Sequence, residues 1–309
     1  MNVFVTGATG ALGQTTVPRL RAAGHEVRGV ARGADKAEWL RAQGAEPVMV
    51  DLFDAAAVED AVHGTDAVAH LATNVPRLTR AGRPKAWAVH NRLRAEATPL
   101  LVGAALAAGA AVFVKESVAF FYRDGGAEWL DEDAPVTSGK LIEPTLAGER
   151  AVERFAGSGR RGVVLRFGLF YGPTSRGVDE SLALARLGRS PLMGAPDSYQ
   201  PMVHLDDAAT AVVAALERAP SGVYNVVDEP VTKGANLAAF ARAFGRRRVP
   251  KPIPTRLVTL VGGRDAAFLA ASQRTSNARF REATRWAPEH PSVIEGWPAV
   301  ARARERAGA

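Results

Sequence analysis

The sequence predicts an α/β protein with a doubly wound parallel sheet. Through the first half of its 309 residues, short apolar segments rich in β-branched side chains alternate with longer helical patterns. The apolar segments are continuous rather than alternating, which is typical of parallel strands covered by helices on both faces. The first of these segments is followed at once by a glycine-rich turn and a helical pattern. These observations together indicate that one parallel sheet organises the chain.

Strands and helices are predicted in alternation as far as residue 167. The predicted strands are Val3–Thr6, Val27–Ala31, Pro47–Val50, Ala67–Leu71, Ala111–Ser117 and Gly162–Phe167. The predicted helices between them are Leu12–Ala23, Lys36–Gln43, Ala56–Val62, Lys85–Ala108 and Thr145–Ala156. Since every strand is separated from the next by a helical segment or a long connection, the alternation favours a parallel strand arrangement.

The alternation breaks after Phe167. Residues 168–200 are predicted to be rich in loops, because glycine and proline recur through them. A helix at Asp206–Arg218 and a strand at Val223–Val227 are expected to return to the sheet, and residues 228–309 are mostly helical. We therefore expect a sheet domain of residues 1–167 to which residues 201–227 return. A smaller, interleaved C-terminal region on the substrate side is expected from residues 168–200 and 228–309.

The composition is that of a folded globular protein, with 47% hydrophobic and 23% charged residues. The absence of cysteine excludes disulfides, thiolate metal sites and cysteine nucleophiles. No basic segment precedes an apolar one at the start, and the longest apolar run, Pro99–Val114, is interrupted by Gly103 and Gly109. We interpret this run as a helix end, a turn and a buried strand. The expectation is a cytoplasmic protein that does not span a membrane.

The formal net charge of +7 has two interpretations. An excess of Arg and Lys can mark a surface for nucleic acid or for an acidic ligand. It can also reflect a bias toward arginine over the whole chain. The basic residues are spread along the sequence, and no basic stripe interleaved with aromatic residues occurs. We therefore expect no nucleic-acid partner.

A glycine-rich turn between the first strand and the first helix is the strongest local signal. Its glycines are Gly7, Gly10 and Gly13. The first permits a tight turn, the second lets backbone N–H groups approach a pyrophosphate, and the third allows close packing of helix on strand. The positive end of the following helix would hold the phosphates. The candidate cofactor-binding residues of the turn are Gly7, Thr9, Gly10, Ala11, Leu12 and Gly13.

The Gly-x-x-Gly-x-x-Gly spacing and several later motifs resemble the extended short-chain dehydrogenase/reductase family, of the NAD-dependent epimerase/dehydratase type. The motifs are Asp51-Leu52, His70-Leu71-Ala72, Asn91, Leu165–Pro173, Val203–Ala209 and residues 276–296. The resemblance implies a Rossmann-type fold and a nicotinamide dinucleotide. It also implies cofactor contacts from Asp51, Leu52, Leu71, Ala72 and Asn91. Relatives often dimerise through two helices, which implies a possible homodimer through Lys85–Ala108 and Thr145–Ala156.

The end of the second strand indicates which dinucleotide is bound. An acidic residue there normally accepts hydrogen bonds from the adenosine ribose of NAD, whereas cations favour the 2′-phosphate of NADP. Here the strand ends in Ala31-Arg32, and Lys36 follows. Both cations can also be solvated surface side chains in so arginine-rich a chain. Because the acid is missing, we expect NADP(H) in preference to NAD(H).

The catalytic pattern of the family is not preserved. The family transfers protons with a Tyr-x-x-x-Lys pair on one helix, supported by a Ser or Thr at the end of the fifth strand. Ser117 fits the strand-end position, but the tyrosine position holds Thr145 and the lysine position holds Glu149. No Tyr-x-x-x-Lys occurs anywhere in the chain. Threonine cannot replace a phenol as an acid, and a carboxylate raises the pKa of a neighbouring hydroxyl group.

Other residues are candidates to compensate. Glu149 can accept hydrogen bonds from the nicotinamide ribose, so cofactor binding is expected to survive without the proton relay. Lys115 shares a strand face with Ser117, and either pairs with Glu149 in the interior or extends its ammonium to an edge. Tyr122 is the further catalytic candidate. The remaining ionisable candidates are Tyr171, Glu143 and His204, and for His204 a structural hydrogen bond is favoured. Arg166 is expected to anchor structure.

Two functions remain open. The first is an NADP(H)-binding enzyme that acts on the carbonyl or hydroxyl group of a small molecule, by reduction, epimerisation or a related biosynthetic step. The second is a non-catalytic NADP(H)-binding sensor or scaffold. Ser117 favours the enzyme, since a sensor has little need of a hydroxyl aimed at a substrate. The slot near Leu169 is apolar where relatives that bind nucleotide-sugars often have Asn, which disfavours such a substrate. No metal site is predicted.

Overall fold

A computed structural model describes residues 1–262 and 264–308 of the chain. The strands, in chain order, are β1 (Asn2–Thr6), β2 (Glu26–Val30), β3 (Glu46–Val48), β4 (Ala67–His70), β5 (Val112–Val118), β6 (Trp129–Leu130), β7 (Arg161–Phe167), β8 (Leu169–Tyr171), β9 (Arg189–Met193), β10 (Met202–His204), β11 (Gly222–Val226), β12 (Lys251–Ile253) and β13 (Arg274–Thr275). The α-helices are α1 (Ala11–Ala22), α2 (Ala34–Ala42), α3 (Ala55–Val62), α4 (Leu78–Ala81), α5 (Ala88–Arg92), α6 (Thr98–Ala107), α7 (Glu143–Ala156), α8 (Arg176–Ala185), α9 (Leu205–Arg218), α10 (Lys233–Ala243), α11 (Thr255–Gly262), α12 (Ala278–Thr284) and α13 (Val293–Gly308).

The main sheet has seven strands in the order β11-β7-β5-β4-β1-β2-β3, and all its neighbours are parallel. The predicted doubly wound parallel sheet is therefore confirmed. The strand order reverses between β1 and β4. In sheets of this kind ligands bind outside the carboxyl ends of the strands at such a reversal. The glycine-rich turn lies there, because it follows β1 directly.

Side chains of the central strands alternate between two apolar layers. Val3 and Val5 of β1 belong to the layer that contains Leu20 of α1 and residues of α2 and α9. Phe4 belongs to the opposite layer, together with Phe155 of α7 and residues of α3 and α6. The period of two in a strand sends neighbours to opposite faces, and helices cover both faces. This explains why the strands are apolar throughout.

The prediction of a single helix at Lys85–Ala108 is wrong. The structure has a 3₁₀ turn at Pro84–Trp87, helix α5, a π-helical segment at Leu93–Ala97 and then helix α6. Pro99 explains the break, because a proline has no N–H to donate and its ring crowds the carbonyl of the preceding turn. The N–H of Thr98 instead reaches back five residues to the carbonyl of Leu93, the spacing of a π turn.

Residues 168–200 are also more regular than the sequence predicts. They contain β8, α8 and β9, and the short strands pair with partners far along the chain, β8 with β10 and β9 with β12. Strand β13 likewise pairs with β6. Because glycine and proline recur in these segments, the sequence did not indicate their strands of two to five residues. The pairing of these strands depends on distant segments. Within residues 1–262 and 264–308, no helix is both long enough and apolar enough to cross a membrane.

Candidate cofactor and active site

The glycine-rich turn is built so tightly that two of its glycines have no room for a side chain. Gly7 has a φ of 69°, and a Cβ there would lie 2.6 Å from the backbone carbonyl of Leu71. A Cβ on Gly13 would lie 2.2 Å from the carbonyl oxygen of Gly7. The turn after β1 therefore packs directly on the end of β4 and on the first turn of α1, as the motif predicts.

The N-terminus of α1 is open to a ligand. Its N-cap is Gly10, which offers no side chain to accept from the first N–H groups of the helix. Ala11 is exposed and Thr9 is half-buried, whereas Leu12 is buried in the core and fixes the helix. Unpaired N–H groups and the helix dipole favour an anion at this position. The turn therefore fits the pyrophosphate of a dinucleotide.

The remaining candidate cofactor residues lie along the same edge of the sheet. Arg32 follows β2, Asp51 follows β3, and Leu71 follows β4, so the fold brings them to the carboxyl-terminal edge of the sheet, on both sides of β1. Arg32 and Lys36 are exposed, on either side of the start of α2. The others are Asp51 (exposed), Leu52 and Leu71 (buried), and Ala72 and Asn91 (half-buried).

Ser117, Glu149 and Arg166 form one buried hydrogen-bonded group. The Ser117 hydroxyl donates to Glu149 Oε1 at 2.5 Å. Arg166 binds both oxygens of the same carboxylate, Nε to Oε1 at 3.1 Å and Nη2 to Oε2 at 2.7 Å. Burial alone would lower the pKa of Arg166, but the hydrogen bonds and charge of Glu149 hold it above its ordinary value. Both oxygens of the Glu149 carboxylate are thus occupied by hydrogen-bond donors, since a carboxylate only accepts hydrogen bonds.

The tyrosine position offers no acid. Thr145 lies one helical turn before Glu149 on the buried side of α7. Its aliphatic hydroxyl has no accessible pKa near neutrality. Ser117 is fully buried, and its proton is already donated to Glu149. Helix α7 therefore carries an ion-paired carboxylate and contains neither tyrosine nor lysine.

Tyr122 is fully buried and belongs to the same network. Its hydroxyl donates to Asn225 at 2.7 Å and accepts from Arg166 Nη1 at 2.9 Å. Burial raises the pKa of Tyr122 to about 12, although Arg166 opposes the shift. A phenol that holds its proton so firmly is a poor acid at neutral pH. Arg166 also donates to the carbonyl of Glu132, so it ties three segments together.

Lys115 is buried and not at an edge, so the interpretation that its ammonium extends to solvent is wrong. The side chain is 1% exposed, and Nζ donates to the carbonyl of Glu116 at 2.7 Å. Glu149 is not its hydrogen-bond partner, because Arg166 and Ser117 occupy that carboxylate. Burial and then the charge of Arg94 lower the pKa of Lys115 to about 7.

Sequence reasoning missed a second buried ion pair. Arg94 Nη2 lies 2.9 and 3.1 Å from the two carboxylate oxygens of Glu116, and Arg94 Nε donates to His90. The sequence did carry a signal for buried charges, since two charged residues stand inside the otherwise apolar strand β5. The partner of Glu116 was not predictable, since Arg94 lies 22 residues earlier in a segment predicted as plain helix. Arg94 lies close to Lys115, because a Cβ on Gly148 would meet both Cε of Lys115 and the carbonyl oxygen of Arg94.

The other ionisable candidates have structural partners. Tyr171 donates to Asp228 at 2.7 Å, and burial, followed by the charge of Asp228, raises its pKa well above its ordinary value. Glu143 is exposed and pairs with Arg150. His204 caps α9, because its Nδ1 accepts the N–H of Asp206.

His204 also lies close to Asp207 and His290, in an arrangement reminiscent of a metal site. The carboxylate of Asp207 already accepts the backbone N–H groups of Glu289 and His290. Burial and the charge of His290 lower the pKa of His204 to about 4, so the ring is neutral. Because Nδ1 accepts a hydrogen bond, the proton of the neutral ring sits on Nε2, which therefore cannot bind a cation. Hydrogen bonds to the backbone thus give His204 and Asp207 structural roles.

Comparison with known proteins agrees with this geometry. The model of the NAD dependent epimerase/dehydratase family matches residues 3–227. A Streptomyces protein named 3-diazoavenalumate denitrifying reductase is 38% identical over 306 residues, covering 96% of this chain and 99% of that protein. The 2-alkyl-3-oxoalkanoate reductase of Shewanella oneidensis is 30% identical over 286 residues, covering 84% and 70%.

Among solved structures, human epimerase family protein SDR39U1 with NADPH superposes with a TM-score of 0.79 at 26% identity, covering 98% of this chain and 99% of that one. UDP-glucose 4-epimerase from Thermotoga maritima has a TM-score of 0.80 at 19% identity, with complete coverage of both chains, and shows the shared fold alone. The sheet and the glycine-rich turn define a dinucleotide-binding α/β fold. The chain belongs to the NAD-dependent epimerase/dehydratase family of extended short-chain dehydrogenases/reductases.

Proposed function

We propose that the protein is an NADP(H)-dependent reductase of a small aromatic diazo acid. The observation that carries the proposal is the buried Glu149 of α7, paired with Arg166. With Thr145 one turn earlier, this helix has no group that donates a proton at neutral pH. We therefore propose a reaction in which the electron acceptor needs no acid from α7.

The glycine-rich turn and the strand ends would hold the cofactor. Gly7, Gly10 and Gly13 leave the backbone open to the pyrophosphate, and Arg32 and Lys36 are free to bind the 2′-phosphate that distinguishes NADP from NAD. The NADPH bound to SDR39U1, a 26% identical relative, supports this preference. When bound, the reduced nicotinamide supplies a hydride, which is one hydrogen with two electrons.

Glu149 takes the place of the lysine that normally binds the nicotinamide ribose. A carboxylate accepts hydrogen bonds from hydroxyl groups, so it can bind the same ribose with the donor and acceptor roles reversed. Arg166 and Ser117 fix the orientation of this carboxylate through three hydrogen bonds. In this role Ser117 is a positioning residue, and so is Arg166.

The substrate class follows from the missing acid and from the name of the 38% identical Streptomyces relative, a denitrifying reductase of a diazo compound. An aryl diazonium ion that receives a hydride becomes an aryl diazene, which loses dinitrogen and leaves the arene. Atoms and charges balance without any proton from the protein. Reduction of a ketone instead produces an alkoxide, whose neutralisation the family assigns to its tyrosine.

The test is turnover of NADPH with paired substrates. Diazotised 3-aminocinnamic acid is expected to oxidise NADPH with release of dinitrogen, above the rate without enzyme, while cinnamaldehyde and 3-oxoalkanoates give no turnover. The rate should fall with NADPH deuterated at the transferred position and stay the same in D₂O, since a hydride moves and no proton does. Turnover of ketones with a solvent isotope effect would contradict the proposal. Tight NADPH binding without any turnover would favour a sensor or scaffold.

A further inference from the structure

Two segments of the chain carry its excess of positive charge. The basic residues are spread along the sequence, but residues 181–196 and 230–264 contain no Asp or Glu. Since all 32 acidic residues lie outside them, these segments more than account for the formal net charge of +7. An uncompensated charge of this kind favours association with anions. The basic residues of the two segments are Arg186, Arg189, Lys233, Arg242, Arg246, Arg247, Arg248, Lys251, Arg256 and Arg264.

The fold brings the two segments together in a small sheet. Strand β9 comes from the first segment and β12 from the second, and they pair in parallel as a two-stranded sheet apart from the main one. Arg189 and Lys251 are direct partners in its register, and the N–H of Lys251 donates to the carbonyl of Gly188 at 3.0 Å. Leu187 and Val249 each precede this pair by two residues, so they lie at the same end of the small sheet.

This end of the small sheet is named the basic edge, and all its residues are exposed. They are Arg186, Leu187, Arg189, Arg247, Arg248, Val249 and Lys251. None of its cations forms an ion pair with a residue in ranges 1–262 and 264–308. Arg189 and Lys251 stand on adjacent strands whose backbones are about 5 Å apart, so their like charges repel. An anionic partner would relieve this repulsion.

Leu187 and Val249 place an apolar surface among these charges. Their exposed fractions are 74% and 51%, which is large for aliphatic side chains. Cations flank both of them, within residues 186–189 and 248–251. Because removal of aliphatic surface from water is favourable, the partner that fits this edge offers an apolar phase as well as negative charge.

A bilayer with anionic lipids offers both properties, whereas a nucleic acid offers only one. Anionic headgroups attract Arg and Lys side chains near the surface, and aliphatic side chains enter the boundary between headgroups and acyl chains. Nucleic-acid phosphates also attract cations, but the bases of single strands stack on aromatic side chains, and the basic edge has none. The exposed leucine and valine therefore favour the lipid surface.

We infer that the basic edge binds the surface of a bilayer that contains anionic lipids. Its cations would contact the lipid phosphates, and Leu187 and Val249 would enter the interface between them. Arginine suits this role, because its planar guanidinium binds two phosphate oxygens at once. Such binding is peripheral, needs no spanning helix and is independent of the proposed reaction.

The test is co-sedimentation of the full chain with vesicles. Vesicles of phosphatidylglycerol and phosphatidylcholine in equal parts should bind the protein about ten-fold or more tightly than phosphatidylcholine alone, and added salt should weaken this binding. Arg247→Gln/Arg248→Gln should lower the affinity about ten-fold or more. The control is Arg41→Gln/Arg281→Gln, which removes two exposed arginines from α2 and α12 and should change the affinity far less.

Leu187→Gln separates the apolar contribution from the charge. It should lower the affinity several-fold at unchanged net charge, because a polar side chain gains nothing from the interface. All the substituted side chains are exposed, so the variants are expected to fold, and an unchanged melting temperature verifies this.

Equal binding to both kinds of vesicle, no binding to either, or equal loss in the two double variants would overturn the inference. An L187Q variant that binds like the unaltered protein would also overturn it, since the attraction would then be purely electrostatic. Binding of duplex DNA as tight as that of the anionic vesicles would indicate a nucleic-acid surface instead, and would overturn the choice of a lipid partner.

Discussion

Glu149 and Arg166 form a buried ion pair in which each side chain depends on the other. Both are less than one-tenth exposed, and the shorter of their two contacts is 2.7 Å. Removal of one member leaves a charge in the interior without compensation, which is far more costly than removal of both. At the scale of the residue, this mutual dependence can be tested by substituting the two side chains singly and together.

We expect Arg166→Met to lower the free energy of unfolding by about 3–5 kcal/mol, because the Glu149 carboxylate is left unpaired. The double variant Glu149→Met/Arg166→Met should be more stable than Arg166→Met alone. Urea denaturation of the two single variants, the double variant and the unaltered protein completes the cycle. Strictly additive effects of the two substitutions would show that the residues do not interact.

Lys115 makes stability depend on pH. Its folded pKa of about 7 lies below the ordinary value of 10.5, so between these values the unfolded chain binds the proton and the folded chain does not. Stability from this group therefore rises with pH across that window, with a slope approaching about 1.4 kcal/mol per pH unit. Below pH 7 both states are protonated and the full penalty of the buried charge is present.

Lys115→Met should remove this rise and stabilise the protein most below pH 7. The measurement is the free energy of unfolding of both proteins between pH 6 and pH 10, and the difference between them isolates the lysine. Parallel curves for the two proteins would contradict a lowered pKa for Lys115. A matched surface control is Lys36→Met, since Lys36 is exposed and should leave the slope unchanged.

At the scale of secondary structure elements, helix α7 packs against strand β5 at a glycine. A Cβ on Gly148 would lie 2.5 Å from Cε of Lys115 and 2.9 Å from the carbonyl oxygen of Arg94. The buried lysine on β5 and the glycine on α7 are therefore complementary. This contact sets the distance between the strand that carries Ser117 and the helix that carries Glu149.

Gly148→Ala is expected to destabilise the protein by about 1–3 kcal/mol through overpacking, although alanine has the better helix propensity. Gly103→Ala on α6 is the control, because an added Cβ there meets open space. It should stabilise the protein by up to about 1 kcal/mol. Thermal unfolding of both variants measures these changes in stability. A G148A variant more stable than the unaltered protein would contradict the close packing of α7 on β5.

At the scale of the whole molecule, the cofactor proposal predicts that a dinucleotide stabilises the folded chain. NADPH should raise the melting temperature in proportion to the logarithm of its concentration, and more than NADH does at equal concentration. The reason is the 2′-phosphate, which Arg32 and Lys36 would bind.

Arg32→Gln/Lys36→Gln should weaken NADPH binding about ten-fold or more while leaving NADH binding unchanged. The matched control is Arg247→Gln/Arg248→Gln, which removes two exposed cations away from the glycine-rich turn. Thermal shift titration with both dinucleotides measures the effect. Equal loss in the two double variants would indicate general electrostatic attraction instead of a phosphate site.

Much of the fold was predictable because its signals are local. Gly7 has a positive φ, and a Cβ on Gly13 would meet Gly7 and Ala8 of the same turn, so both requirements arise within a few residues. Continuous apolar strands likewise report burial on both faces. The π-helical segment before Pro99 and the short strands β8, β9 and β12 escaped prediction. Their formation depends on packing and on partners far along the chain.

The sequence by itself determined that a dinucleotide fold is present and that α7 lacks the family's acid. Both conclusions come from which residue types occupy adjacent positions. Only the tertiary structure decided what the charges near that helix do. Arg166 binds Glu149, Arg94 binds Glu116, and Lys115 is left with a backbone carbonyl. The physical reason is that a buried charge is stabilised by whichever group the packing of β5, β7 and α7 places within reach, and no spacing along the chain encodes that choice.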